Sequence, residues 1–311
     1  MPKFVVAALY KFAPLPHFER MQDAVLAACL RNEVRGTLLL AAEGINGTIC
    51  GSRTGVDAVL AYLRAVPGLE DLDHKESYAD DPPFVRIKVR LKQEIVSIGV
   101  PGVDPRARVG TYVEPDDWNA LLDDPDVLVV DTRNDYEIRA GTFEGAVNPG
   151  LGSFRQFPDW ADETLEPTRH RKIAMFCTGG IRCEKASSLL LARGFERVFH
   201  LRDGILKYLE KVPEAASKWQ GECFVFDQRV TVDHALRPGQ HVMCFGCRHP
   251  VSPQETRSER FEDGVCCPAC YASVDAETRR ARRERHRQVQ LASDRGEAHL
   301  GPAHRAAPAR K

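Results

Sequence analysis

The stretch Lys172-Ile173-Ala174-Met175-Phe176-Cys177-Thr178-Gly179-Gly180-Ile181-Arg182-Cys183 decides how the centre of this chain folds. An apolar run leads into a thiol and two glycines, and a helix-like run from Glu184 to Arg193 follows. That order predicts strand, tight loop and helix. The loop would set the Cys177 sulfur at a helix N-terminus, where unpaired backbone N–H groups and the positive end of the helix dipole favour an anion. A thiolate there is stabilised, which makes Cys177 a candidate nucleophile rather than a packing residue. Four residues separate Cys177 from Arg182, and Gly179 and Gly180 allow their amides to turn inward as an anion nest. A longer loop would be needed to cradle a phosphate, so this spacing argues for sulfur or small-molecule chemistry. Arg182 is expected to screen the Cys177 anion or to contact a substrate anion. Cys183 has two readings, a resolving thiol for an oxidised Cys177 or a half-buried cysteine of the first helical turn.

Around this loop, residues 123–219 alternate strand and helix. Val127 to Val130, Ile173 to Phe176 and Val198 to Leu201 are apolar runs suited to a buried parallel sheet. Helices are expected at Asp135–Ala140, Glu184–Arg193 and Ile205–Val212, giving a compact parallel α/β domain. Residues 1–97 carry a different pattern. Strands are expected at Phe4–Phe12, Gly36–Leu40, Thr48–Cys50 and Phe84–Leu91, and helices at Pro16–Leu30 and Thr54–Val66, with Thr54 as a cap. The order βαββαβ predicts a ferredoxin-like α/β sandwich. Residues 98–122 are read as a linker.

The whole chain bounds the rest. Its 311 residues suit two or three domains, and 43% hydrophobic content is enough for real cores. The formal net charge of −1 points to no polyanion partner on average, so any such partner must be sought locally. Met1-Pro2-Lys3 opens no apolar leader and no apolar run is long enough to span a bilayer, so a cytoplasmic protein without a membrane partner is expected. Of ten cysteines, five crowd between Cys244 and Cys270. In a reducing compartment that crowding suggests metal or redox chemistry. Cys244-x-x-Cys247 and Cys267-x-x-Cys270 lie 19 residues apart, the pattern of a four-thiolate zinc ribbon within residues 220–275. Cys266 competes with Cys267, but only Cys267 keeps the two-residue gap to Cys270. A closed four-ligand site would be structural. Cys29, Cys50 and Cys223 are read as ordinary buried or partly buried thiols. Residues 276–311 are read as a basic tail: Arg279 to Arg287 as a solvated or amphipathic helix, Ala292 to Lys311 as disordered.

One strand carries a local charge signal. Val85, Ile87, Val89 and Leu91 alternate with Arg86, Lys88, Arg90 and Lys92. The first set would face a core and the second would share the opposite face. Like charges on one sheet face repel unless a phosphate backbone neutralises them, or unless Glu76, Asp81 or Glu94 does so. Tyr10, Phe12 and Tyr78 are read as core aromatics rather than base-stacking groups. No flavin or nucleotide fingerprint and no iron-binding triad is visible.

Asp131-Thr132-Arg133, Glu137, Cys177 to Arg182 and Leu201-Arg202-Asp203-Gly204-Ile205 follow the pattern of a rhodanese domain. The resemblance implies that Asp131 and Arg133 brace the active loop and that the loop cysteine can carry a persulfide. Asp203-Gly204 stands where that family usually has two glycines. The longer strings Cys177 to Ala186 and Ala42-Glu43-Gly44-Ile45-Asn46-Gly47-Thr48 resemble, over roughly residues 1–275, the bacterial tRNA uridine hydroxylases. That resemblance implies oxygen-dependent formation of 5-hydroxyuridine at the wobble position of tRNA. It implies molecular oxygen as co-substrate, the tRNA anticodon loop as partner and Cys177 as the active-site cysteine. The alternative is a rhodanese-type sulfurtransferase passing persulfide sulfur to an acceptor. The oligomeric state is not legible.

Overall fold

A computed structural model describes residues 3–295. The N-terminal domain runs β1 (Phe4–Phe12), α1 (Phe18–Arg31), β2 (Arg35–Ala41), β3 (Gly44–Gly51), α2 (Arg53–Arg64), β4 (His74–Ala79) and β5 (Ile87–Leu91). Its sheet order is β4-β1-β3-β2-β5, the first four strands antiparallel and β5 parallel to β2. The sandwich expected from βαββαβ is present, but its last strand is β4. The expected Phe84–Leu91 strand is shorter and forms an added edge. β4 reads His-Lys-Glu-Ser-Tyr-Ala, too polar to signal a strand, and it is held by pairing with β1 at a sheet edge. Ser52, not Thr54, caps α2, its hydroxyl accepting from the Gly55 N–H at 3.1 Å. One sheet face is dry: Leu38, Leu40, Ile45 and Ile49 pack against Val25, Cys29, Val56 and Leu60 of the helices.

The helices leave the other face of that sheet to the second domain. This runs β6 (Thr111–Val113), α3 (Pro115–Leu122), β7 (Val127–Asp131), α4 (Asp135–Ile138), β8 (Gly141–Phe143), α5 (Phe157–Thr164), β9 (Lys172–Phe176), α6 (Ile181–Ala192), β10 (Arg197–Leu201) and α7 (Gly204–Lys211). Its parallel sheet is ordered β6-β10-β9-β7. Residues 98–122 are therefore not a linker throughout, since they supply β6 and α3. Thr111-Tyr112-Val113 is too short to show a period, and only its pairing with β10 makes it a strand. Each face of the sheet has its own core, as a parallel sheet requires. Ile173 and Met175 pack toward Leu190 and Phe157, whereas Ala174 and Phe176 pack toward Trp118, Ile205 and Tyr208.

The remaining chain wraps back. β11 (Trp219–Gly221) pairs with β8, and β12 (Cys223–Phe224) with β13 (Thr231–Val232) makes a hairpin. The hairpin turn is pinned to the N-terminal domain: Arg229 donates to Ser77 Oγ at 2.7 Å and the Gln228 N–H to Pro83 O at 3.1 Å. β14 (Val242–Met243) and β15 (Pro250–Val251) open the cysteine-rich unit. α8 (Ala276–Asp294) follows, capped by Asp275, whose carboxylate accepts from the Thr278 N–H at 2.7 Å. The helix expected at Arg279–Arg287 is thus present and runs over 276–294, past Ala292 where disorder was expected, and residues 296–311 lie outside the described residues. Arginines that read as a solvated run hold α8 to the ribbon. Arg282 donates to Val265 O at 3.0 Å, and Arg283 pairs with Glu262. No described helix is long and apolar enough to cross a membrane.

Candidate active site

β9 ends at Phe176 and delivers Cys177 into the loop before α6. Gly180, with φ +99°, turns the chain into the helix and donates its N–H to Cys177 Sγ at 3.1 Å. The glycine conformation is required there. Gly204 is required for space as well, since a Cβ would stand 2.4 Å from Cys177 O and 2.7 Å from the Gly180 nitrogen. Asp203 beside it adopts the left-handed conformation, φ +61°, that aspartate tolerates. Its carboxylate receives Lys75 of β4 at 2.8 Å, so the departure from a glycine pair becomes a contact between domains.

Burial alone would raise the Cys177 pKa. The Cys183 thiol, the Arg182 charge and the backbone N–H groups of Cys183 and Arg182 outweigh it and pull the thiol down to about 5. Cys183 moves the opposite way, raised by burial and by the neighbouring thiolate it donates to. The pair therefore shares one negative charge, carried by Cys177. Arg182 does not extend free into the site. Its guanidinium makes two bonds to the fully buried Glu137, at 2.7 and 2.8 Å, and is itself largely buried at the cavity wall. It acts on Cys177 through space while Glu137 holds it. Asp131 and Arg133 form a second buried pair at 2.6 and 2.9 Å. Arg133 also donates to Gly141 O at 2.6 Å and lies over the Trp219 ring. These contacts tie β7 to β8 and β11.

A cavity of about 540 Å³ lies over Cys177, and the N-terminal sheet forms its other wall. Tyr10, Thr37, Leu39 and Thr48 line it from that sheet, and Thr178, Ile181 and Arg182 from the loop. The Thr178 hydroxyl is buried there without a protein partner. Phe226, on the β12–β13 turn, lies at the lip and is 60% exposed. Tyr10, read from sequence as core, lines the cavity and donates to Glu184 at 2.7 Å. Lys185 is almost wholly buried and reaches Glu43 at 2.9 Å and Glu94 at 2.5 Å. Glu43 belongs to the Ala42–Thr48 string, and Glu184 and Lys185 to the Cys177–Ala186 string. The two strings meet across the domain interface. Their signal in the sequence was a set of charged residues with no task within either domain alone.

The basic strand differs in detail from its expected pattern. Val85 and Leu91 are exposed, and only Ile87 and Val89 reach the core. The strand starts after Val85, and Leu91 ends it at the sheet edge. Lys88 and Arg90 pair in register with Thr37 and Leu39, so they share the sheet face that bears the cavity. Lys92 lines the cavity itself, while Arg86 sits just before the strand. Glu76 is taken by Arg53 and His74, and Glu94 by Lys185. Among the described residues no carboxylate pairs with Arg86, Lys88, Arg90 or Lys92. Burial and the nearby Arg86, Arg90 and Arg248 charges hold Lys88 below its ordinary pKa.

Away from this cleft, Cys244, Cys247, Cys267 and Cys270 bring their sulfurs within 4.8 Å of one another. Neighbouring sulfurs stand 3.7–3.9 Å apart. A tetrahedron with zinc–sulfur arms of ~2.3 Å has edges of ~3.8 Å, so the four thiolates fit zinc. Cys266 is outside the cluster and receives Arg279 at 3.2 Å.

Residues 4–95 match the UPF0176 acylphosphatase like domain, and residues 114–211 the rhodanese-like domain. A tRNA uridine(34) hydroxylase of Teredinibacter turnerae is 54% identical over 97% of this chain and 94% of its own length. One of Agrobacterium fabrum is 55% identical over 96% and 95%. With that identity over nearly the whole of the chain, the chain belongs to the tRNA uridine(34) hydroxylase family.

Proposed function

We propose that this protein hydroxylates C5 of uridine 34 in the anticodon loop of tRNA, with molecular oxygen as co-substrate and Cys177 as the reacting protein group. The observation that carries the reading is the cavity itself: its volume suits a flipped-out nucleotide, its floor is a thiolate and its mouth leads to an unneutralised basic strand. An anticodon loop offers unpaired bases that can leave the stack, which a paired helix does not. The unpartnered Thr178 hydroxyl supplies a hydrogen-bonding group for a uracil edge. Arg86, Lys88, Arg90 and Lys92 guide the phosphate backbone toward the cleft. Cys177 and Arg182, set by Glu137, make the reactive centre. Asp131 and Arg133 brace it, Gly179 and Gly180 shape the nest, and Cys183 donates to the thiolate.

Replacing Arg86, Lys88 and Arg90 together with alanine weakens tRNA binding and makes the slope of log K against log salt shallower by about 2, from ~0.7 per single-strand phosphate contact. Binding titrations at several salt concentrations measure this, and an unchanged slope removes the basic strand from the interface.

Zinc held by Cys244, Cys247, Cys267 and Cys270 would fix the ribbon that carries Arg248 beside the basic strand. Elemental analysis of protein purified without chelator is expected to give about one zinc per chain, the stoichiometry of a single four-thiolate site. A metal-free protein that is fully folded overturns that assignment.

A further inference from the structure

The hydroxylation reading leaves one requirement unassigned: a hydroxyl replaces the hydrogen on C5, so a group in the cleft must take that proton. The described residues that line the cavity beside Cys177 offer one half-buried hydroxyl already wired to a carboxylate. Tyr10 comes from β1, across the domain interface, and its hydroxyl donates to Glu184 at 2.7 Å. The same oxygen lies 2.9 Å from where a Cβ on Gly180 would be, and Gly180 donates to Cys177 Sγ. The phenol therefore stands over the same nest that holds the sulfur. A second phenol, Tyr112 of β6, stands near Glu184, and Lys75 faces it from β4. Lys75 also lies over the Tyr10 ring at 5.0 Å.

We propose that Tyr10, backed by Glu184, is a catalytic acid–base residue of this site, contributed by the N-terminal domain, and that it takes the C5 proton of the uracil ring. The step rests on the uridine reading above and on addition of Cys177 to C6. In the oxygenated adduct, C6 carries the sulfur and C5 carries both the hydroxyl and its original hydrogen. The C5–H bond breaks and its electron pair forms the C5=C6 bond. The C6–S bond breaks and its pair returns to Cys177 as thiolate. The proton goes to Tyr10 Oη as the phenol's own proton passes to the Glu184 carboxylate. No oxidant or reductant is consumed in this step. Burial raises the pKa of Glu184, which makes it a better proton acceptor than a surface carboxylate. Cys177 is a good leaving group because its loop stabilises the thiolate.

The test uses the full-length protein and tRNA whose uridines carry hydrogen or deuterium at C5. Tyr10→Phe keeps the ring and removes only the hydroxyl. Turnover falls about 100-fold, the lower range for loss of a general acid–base group, while KM for tRNA stays within about twofold. The C5-deuterium isotope effect on turnover rises, because proton removal becomes rate-limiting. Glu184→Gln gives the same pattern, and the double variant is no slower than the poorer single one. Tyr10→Phe turnover within about threefold of wild type overturns the proposal, as does a fall confined to KM or one without a larger isotope effect. A wild-type protein that makes no 5-hydroxyuridine removes the substrate reading and this role with it. Normal wild-type product with an unaffected Tyr10→Phe removes this role alone.

Discussion

Serine in place of Cys177 lowers formation of modified uridine by about 1,000-fold or more, the scale seen when an enzyme loses its nucleophile. The site makes this the largest expected effect on activity. A hydroxyl fits the same space, but no group in the nest is basic enough to ionise it. The thiol, in contrast, is held at about 5, so it is a thiolate at every pH well above that value. Activity that needs the thiolate rises with pH from roughly 4 to 6 and is flat above, whereas an ordinary cysteine would give its rise near 8.5. The rate of alkylation of Cys177 by a small haloacetamide should trace the same curve. The same shift bears on stability. A group whose folded pKa is depressed contributes above its unfolded pKa, and the contribution is lost as pH falls through about 5. An alkylation rate that climbs only above pH 8 would mean that the loop does not stabilise the anion.

Glu137→Gln is expected to be the most destabilising single change near the site. Glu137 and Arg182 are buried together and make two short bonds. Removing one charge leaves the other without compensation in a dry interior, at a cost of about 3–5 kcal/mol. An exposed pair would lose only ~0–1 kcal/mol. Urea denaturation of the single variants measures this. The paired change Glu137→Leu with Arg182→Met removes both charges and should cost less than the sum of Glu137→Leu and Arg182→Met made singly. Arg182→Met should also raise the Cys177 pKa, since Arg182 is among the groups that lower it. Single variants that lose less than ~1 kcal/mol would place the pair in a solvated setting.

The sequence made the active loop legible because the loop's chemistry is local. Cys177, Gly180 and Cys183 sit within one strand-loop-helix turn, and their hydrogen bonds span a few residues. The ribbon was legible for the same reason, through two short knuckles. What sequence reading lost was pairing between distant segments. β4 has no apolar face, and β6 is three residues long, so only their neighbours make them strands. α8 reads from sequence as a solvated or amphipathic helix, and only the structure shows that Arg279, Arg282 and Arg283 hold it to residues 262–271 of the ribbon. Tyr10 and Glu184 stand 174 positions apart, and nothing in either neighbourhood announces the other. Alternation along Val85–Lys92 assigned the basic face correctly but not the ends, because Val85 lies outside the strand and Leu91 at its edge.

The central claim is that Cys177, under a cleft closed by the N-terminal sheet, serves uridine hydroxylation. Its most direct test is nucleoside analysis of tRNA from a strain lacking the endogenous activity, complemented with wild-type or Cys177→Ser protein. Products are compared with authentic 5-hydroxyuridine and 2-thiouridine by chromatography and exact mass. The account predicts 5-hydroxyuridine at position 34 with wild-type protein and none with Cys177→Ser. Position 34 hydroxylated equally by both proteins, or a thiolated base in place of the hydroxylated one, would contradict it.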